Sequence, residues 1–444
     1  MSALVNVAGR PVALNRVAAG LAFLFVVCIP LLAANFQTVR DPYGEPLAGD
    51  FPHEYMGGYI VLHGDHQRFY NPEYAYTIQH DPVVMGMTYS ADRFLPMIYP
   101  PFYYLLVAPL TLLSCHAAAV VWLFLMAGCL GLTVWLLSRA FPEHPALPTW
   151  ALAGALFFVP VLQSLHTSQK GTLILLILTA TFVLLNRRRP FWAGVIFGLI
   201  AFKPHLALVI ALAMLCKRQW WFVLGGAITG VVLVGLSLLT SVDACNQYLH
   251  LSGTMADYIN IEGYPLEKLH CWYGFWKLLL PEQDMIAVRI ATLLAGGITV
   301  AVLAWQLKGP LAYGGPQFAM QFAGLVVATV LLSPNLLTYD LTILLLPFFL
   351  LTHVLLTQSS LFAGRQKWVI WILVLLYVGA GLSSLMAQWI HLQMSVPLLF
   401  ALLATLTRVP KDGKTEENLS FNLTVPIVQP RFQCQASHAT NAAT

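Results

Sequence analysis

The sequence predicts an all-α polytopic membrane protein with about twelve crossings, and three observations carry that expectation. Hydrophobic residues make up 58% of the 444, and charged residues only 9%. A soluble chain carries about 25% charged residues. Mean hydropathy is +0.73, and the apolar residues gather into runs of span length separated by short polar breaks. This composition excludes a cytosolic enzyme, a disordered chain and a nucleic-acid partner. The net charge of +4 adds little, because membrane proteins sort charge by side.

A helix crosses a bilayer with about 20 mostly apolar residues. Candidate runs lie at 17–34, 99–114, 117–138, 149–165, 171–186, 191–202, 204–216, 221–240, 286–307, 317–333, 338–356, 367–384 and 388–407. The first follows Arg10 and Arg16 and has no small-residue cleavage site, so it is expected to be a retained helix rather than a signal peptide. With Arg408, Lys411 and Lys414 placed in the cytoplasm, the junctions at Arg365/Lys367, Lys308, Lys217/Arg218, Arg187–Arg189 and Arg139 also fall inside. That holds only if 99–138 makes one net crossing. The run opening Tyr99-Pro100-Pro101-Phe102 is therefore expected to be re-entrant or a short helix returning to the same side.

Both termini are then cytoplasmic in a protein of the cell membrane. The inner segments hold fifteen Lys and Arg, while the outer loops 35–98 and 241–284 hold five, together with fourteen of the nineteen acids. The chain divides into a membrane domain, 1–410, and a polar tail, 411–444, whose composition predicts disorder. The Asn418 and Asn422 sequons would face the cytoplasm. No internal repeat is evident, which weighs against an inverted-repeat transporter.

This orientation gathers the polar, non-helical interruptions on the outer face. They are Asp50 with its loop, Tyr99-Pro100-Pro101, His166 to Lys170, Lys203-Pro204-His205, the 241–284 loop, and Ser333-Pro334-Asn335 through Asp340. Non-helical backbone survives at membrane depth only where protein or a water-filled cavity satisfies it. One shared outward cavity is expected.

Asp50 stands ahead of a stretch, 55–62, whose aromatic and apolar spacing suits an amphipathic helix in the interfacial plane. Its carboxylate suits a general base for an attacking hydroxyl and equally suits a helix N-cap. Lys203 lies between two apolar stretches of about a dozen residues. A lysine at the bilayer centre costs about 2.5–3.5 kcal/mol, so it needs a cavity, a partner or a route to the interface. With His205 and the more interfacial Lys170, it is a candidate to bind a phosphate. Asp340 is the one acid outside the loops and cytoplasmic segments, and is expected to act in catalysis, as a cap or as cavity lining. His166, Gln169, Tyr99 and Tyr339, at the same breaks, are candidate sugar- or acceptor-binding groups.

Other features have plainer readings. Arg93 is a weaker phosphate candidate. The His63-Gly64-Asp65-His66 run has ligand-like spacing with no second cluster, so no metal site is expected. The aromatic run from Leu269 to Trp276 suits an interface belt or sugar stacking. Cys245 and Cys271 share an outer loop, where an oxidising compartment permits but does not require pairing.

Several motifs in order resemble glycosyltransferase family 87. They are Gly49-Asp50-Phe51, Tyr55-Met56-Gly57-Gly58, Leu62-His63-Gly64, Phe69-Tyr70-Asn71-Pro72 and Tyr99-Pro100-Pro101-Phe102. They continue through Ser168-Gln169-Lys170-Gly171, Arg187-Arg188-Arg189 to Ala193-Gly194, Ala201-Phe202-Lys203-Pro204, Ser333-Pro334 and Tyr339-Asp340. The resemblance spans roughly 40–350. It implies a GT-C-type fold whose long first outer loop carries interfacial helices, and polyprenol-phosphate-mannose-dependent transfer. It also implies an acidic residue in the first outer loop, here Asp50, at the catalytic base. Two segments depart from the family pattern. Ser168 stands where relatives commonly carry Gly before Gln, and Tyr339 and Asp340 stand where some carry His.

The expected activity is therefore transfer of a sugar, a hexose such as mannose or else arabinofuranose, from a polyprenyl phosphate to a glycolipid or glycan acceptor. It would take place on the outer face, among membrane lipids and without a cofactor. Asp50, or Asp340 with it, would serve as base. A secondary transporter or lipid-glycan flippase with an outward cavity is the alternative from another class, and an envelope polymerase or ligase is a closer one.

Overall fold

The computed structural model describes residues 48–86, 94–141, 147–258, 264–281 and 283–407. The expected helix at 17–34, Arg93, both termini and the tail at 411–444 lie outside the described residues. Among those described the fold is helical, with one isolated antiparallel bridge between Leu269 and Leu337.

The outer segment gives α1 (Phe51–His63) and α2 (Pro72–Gln79), followed by α3 (Pro101–Val107), which a 3-10 turn extends to Leu112. Then come α4 (Cys115–Ala140), α5 (Leu147–Phe157), α6 (Val159–His166), α7 (Gly171–Asn186) and α8 (Pro190–Gly198, with a 3-10 turn to Phe202). Next are α9 (Pro204–Cys216), α10 (Trp220–Thr240), α11 (Val242–Tyr258), α12 (Trp272–Leu279) and α13 (Met285–Gln306). The chain goes on through α14 (Pro316–Leu332), α15 (Leu345–Thr357, entered by the 3-10 turn Thr338–Leu344), α16 (Gln366–Ile390) and α17 (Ser395–Leu406).

Five of these are long and apolar enough to cross a membrane: α4, α10, α13, Thr338–Thr357 and α16. The chain is a multi-pass membrane protein. The run at 99–114 forms only Pro101–Leu112. At 1.5 Å per residue it reaches about 18 Å, short of the hydrocarbon core of roughly 30 Å.

Proline sets seven of the helix starts. Pro52, Pro72, Pro101, Pro160, Pro190, Pro204 and Pro316 each occupy the first or second helical position, where a missing N–H costs nothing. Side-chain caps start others. Ser114 Oγ accepts from Ala117 N at 3.3 Å, and Asp284 from Ala287 N at 3.0 Å. α14 is buried at every position from Phe318 to Leu331, as an all-round apolar core helix must be.

Close backbone approaches fix two crossings. A Cβ on Gly57 would lie 2.1 Å from the Tyr104 ring, so α3 packs directly on α1. From Phe51 to Val61 every residue except Tyr59 is buried. The amphipathic, interfacial helix expected at 55–62 is therefore packed within protein over most of its surface, leaving Tyr59 half-buried and Leu62 exposed. Where α8 meets α10, a Cβ on Gly194 would lie 2.0 Å from the Phe222 carbonyl oxygen, and one on Gly225 2.1 Å from that of Phe191.

Cys245 and Cys271 are free thiols; Cys271 is buried with its Sγ 3.7 Å from the Pro334 carbonyl. The aromatic run also turns inward. Trp272 and Phe275 are buried, and Trp272 Nε1 donates to Thr299 Oγ1 at 2.8 Å.

Candidate active site

The site begins with the way α6 ends. Ser168 N donates to Leu165 O at 3.2 Å and Gln169 N to Ser164 O at 2.7 Å, with Ser168 at φ +61°. This is a Schellman turn whose left-handed position carries serine rather than the usual glycine. Glycine would take that conformation without strain. Trp122 Nε1 donates to the Ser168 carbonyl at 2.8 Å and holds the turn in place.

The segment before α1 runs alongside this turn. Ala48 N donates to His166 O at 2.6 Å and Asp50 N to Thr167 O at 3.3 Å. Asp50 precedes α1, but its carboxylate makes no capping bond. Instead Asp50 Oδ2 accepts from Gln169 Nε2 at 2.6 Å. The carboxylate is half-buried and oriented by an amide 119 residues away.

Two buried ion pairs lie behind it. Lys170 pairs with Glu54, both fully buried. Lys203 Nζ meets Asp340 Oδ1 at 2.6 Å, with side chains 7% and 3% exposed. The Lys170 ammonium sits 4.0 Å from the Tyr99 ring centroid, and that of Lys203 sits 5.1 Å from the Tyr339 ring centroid. His53 donates from Nδ1 to the Asp50 carbonyl at 2.6 Å, and its Nε2 stands 3.3 Å from Glu54 Oε1. Burial lowers the His53 pKa despite the neighbouring Glu54. Burial alone would raise the Glu54 carboxyl, but His53 and the Lys170 ammonium outweigh it and hold the group below the usual carboxylate value.

Asp50, Tyr99, Gln169 and Tyr339 line one cavity of about 270 Å³, with His53, Gln163, Thr167, Lys268 and Thr338 among its other walls. Gln163 Oε1 and Gln169 Oε1 are buried and have no hydrogen-bond partner. Acceptors of this kind at a cavity suit the hydroxyls of a sugar.

Of the other expected residues, Lys170, Lys203 and Asp340 stand behind the cavity wall in their pairs. His205 is adjacent to Lys203 in sequence, and its Nε2 is buried without a partner. His166 contributes its carbonyl to the Ala48 contact. Asp65 caps a 3-10 turn through Gln67 N, and His66 Nε2 is bonded to the Val61 carbonyl at 3.0 Å, which accounts for the polar run there. Among the described residues no group of His, Cys, Asp and Glu could hold a metal ion.

Sequence reasoning missed His53, Glu54, Gln163, Lys268 and Thr338. The signal for Glu54 was an acid set in an apolar, aromatic stretch. Lys268 read only as one more outer-loop charge.

A helical membrane protein that gathers a carboxylate, two amide side chains and aromatic rings around one cavity has the composition of a carbohydrate-handling site built between spans. The chain belongs to glycosyltransferase family 87, whose description matches residues 97–334, just over half its length. It is therefore a glycosyltransferase, and the family in general uses a lipid-linked sugar donor and a glycan or lipid acceptor. This displaces the transporter and flippase alternative. The matched stretch is narrower than the span of the motif resemblance: it takes in Tyr99, Gln169, Lys170, Lys203 and Lys268 and leaves out Asp50, Tyr339 and Asp340. No curated protein and no solved structure matches the chain.

Proposed function

We propose that this enzyme transfers a hexose such as mannose from a polyprenyl phosphate to a glycolipid or glycan acceptor at the outer face of the cell membrane, in envelope glycan or glycolipid synthesis. The observation that carries the reading is the Asp50 carboxylate, held at 2.6 Å by Gln169 in the wall of a cavity with unpartnered acceptors. Asp50 takes the proton from the acceptor hydroxyl. That oxygen bonds to the anomeric carbon, the bond from this carbon to the phosphate oxygen breaks, and the polyprenyl phosphate leaves with the electron pair.

Lys170 and Lys203, with His205 beside the latter, place positive charge behind Tyr99 and Tyr339 and stabilise the departing phosphate through the field of the site. Asp340 is engaged by Lys203, which favours Asp50 alone as the base. Gln169, Tyr99 and Tyr339 face the sugar and acceptor, and His166 supports the turn.

The topology that goes with this reading is of GT-C type. The helix expected at 17–34 followed by α4, α5 with α6, α7, α8, α9, α10, α13, α14, α15, α16 and α17 gives twelve crossings with both ends cytoplasmic. Every break that reaches the site then lies outside.

The test incubates purified protein with radiolabelled polyprenyl-phosphate hexoses and membrane acceptors. Labelled acceptor and free polyprenyl phosphate should accumulate together. Transfer from a nucleotide sugar, with none from the lipid donor, would sink the reading.

A further inference from the structure

Among the described residues lining the cavity that holds Asp50 there is one lysine and no arginine, and the lysine is Lys268. The cations singled out from the sequence stand elsewhere. Lys170 and Lys203 are each in a buried carboxylate pair, and each meets the face of a cavity-wall tyrosine.

Lys268 ends the 3-10 turn Leu266–Lys268, and the backbone around it is anchored from several directions. Leu269 bridges Leu337, and His270 N donates to Leu336 O at 2.8 Å. Gln393 Nε2 donates to the Glu267 carbonyl at 2.7 Å, and the Thr338 hydroxyl to the Lys268 carbonyl at 3.4 Å. His270 is fully buried, with Nδ1 2.7 Å from Ser395 Oγ and Nε2 3.0 Å from Thr338 Oγ1. Burial pushes its imidazole down to about 3, so the ring is neutral and acts as one donor and one acceptor in this network. The anchoring fixes the place from which Lys268 projects, as a binding group requires.

The two charges are held by different segments: Asp50 is tied to Thr167 and Gln169, and Lys268 to Pro265 and Thr338. In displacement at a sugar carbon the entering oxygen and the leaving oxygen occupy opposite sides, so the group that holds the anion belongs on a wall other than the base's. An ammonium with three donors suits a phosphate.

Resting on the reading of the chain as a lipid-phosphate-dependent transferase, we infer that Lys268 binds the phosphate of the lipid-linked donor directly. The Lys170–Glu54 and Lys203–Asp340 pairs back it electrostatically.

The same phosphate chemistry is offered by an anionic acceptor lipid, so the test has two arms. Full-length protein in zwitterionic nanodiscs is titrated with polyprenyl monophosphate, and in parallel with phosphatidylinositol. Lys268→Ala and Lys268→Met should weaken polyprenyl-phosphate binding by about ten- to a hundredfold, as loss of a charge-assisted hydrogen bond does. Lys268→Arg should recover most of the affinity, and the phosphatidylinositol arm should not move. Lys268→Met keeps the stem, and its melting temperature separates lost binding from lost folding. Unchanged polyprenyl-phosphate affinity in both variants overturns the inference, as does a loss confined to phosphatidylinositol. If the wild type fails to transfer sugar from the lipid donor, the proposed reaction falls, while the binding titration still judges Lys268.

Discussion

The two ends of α7 are flanked by the same backbone turn and use it in opposite ways. Before the helix, Ser168 takes φ +61°; after it, Arg188 takes φ +56°, with Arg188 N donating to Leu185 O at 2.8 Å and Arg189 N to Leu184 O at 2.9 Å. At the first end Lys170 is fully buried against Glu54; at the second Arg187, Arg188 and Arg189 are all exposed. A cation after a helix C-terminus is favoured by the macrodipole, and one at the N-terminus is opposed by it. The arginines follow the field and need no partner. Lys170 stands against it, out of water, and requires Glu54. The turn geometry is common to both ends; what separates a binding region from an exposed edge is which charges are withdrawn from solvent and matched.

Four substitutions probe this contrast. The largest effect belongs to Asp50→Asn, which keeps the shape of the turn contact and removes the base. Transfer should fall by about 10²–10⁴-fold with the melting temperature little changed, measured by labelled-donor assay; a variant with ordinary turnover would take Asp50 out of the chemistry. Next, Lys170→Met strands the Glu54 carboxylate and should cost about 3–5 kcal/mol in unfolding measured in detergent. Adding Glu54→Leu should restore most of that stability, and equal losses in the single and double variants would break the argument from pairing. Ser168→Gly should raise stability by about 1 kcal/mol by relieving the left-handed strain. The smallest change is expected for Arg188→Met, within about 0.5 kcal/mol. A loss there as large as for Lys170 would erase the distinction between the two ends.

The helical segments were legible because hydropathy and proline both act locally. The breaks at 166–170, 203–205 and 333–340 stand where the sequence places them, and they carry the ionisable residues that apolar surroundings make conspicuous. The partnerships were not legible. Lys203 and Asp340 are 137 residues apart, and Glu54 and Lys170 116 apart, so only tertiary packing brings them together. The character of α1 was missed for a related reason. Its 55–62 stretch reads as one-sided, but Gly57 lets Tyr104 lie against the helix axis and bury the glycine face. Lys268 escaped notice because its role depends on the distant strand-like contact of Leu269 with Leu337.

The glycine contact between α8 and α10 bears on traffic. With main chain pressed on main chain at Gly194 and Gly225, these two helices have no side-chain cushion along which to slide apart. They form a single strut. A lipid-linked donor arriving from the bilayer must find its door at another seam, and bulky residues at these glycines would jam the strut without touching the chemistry.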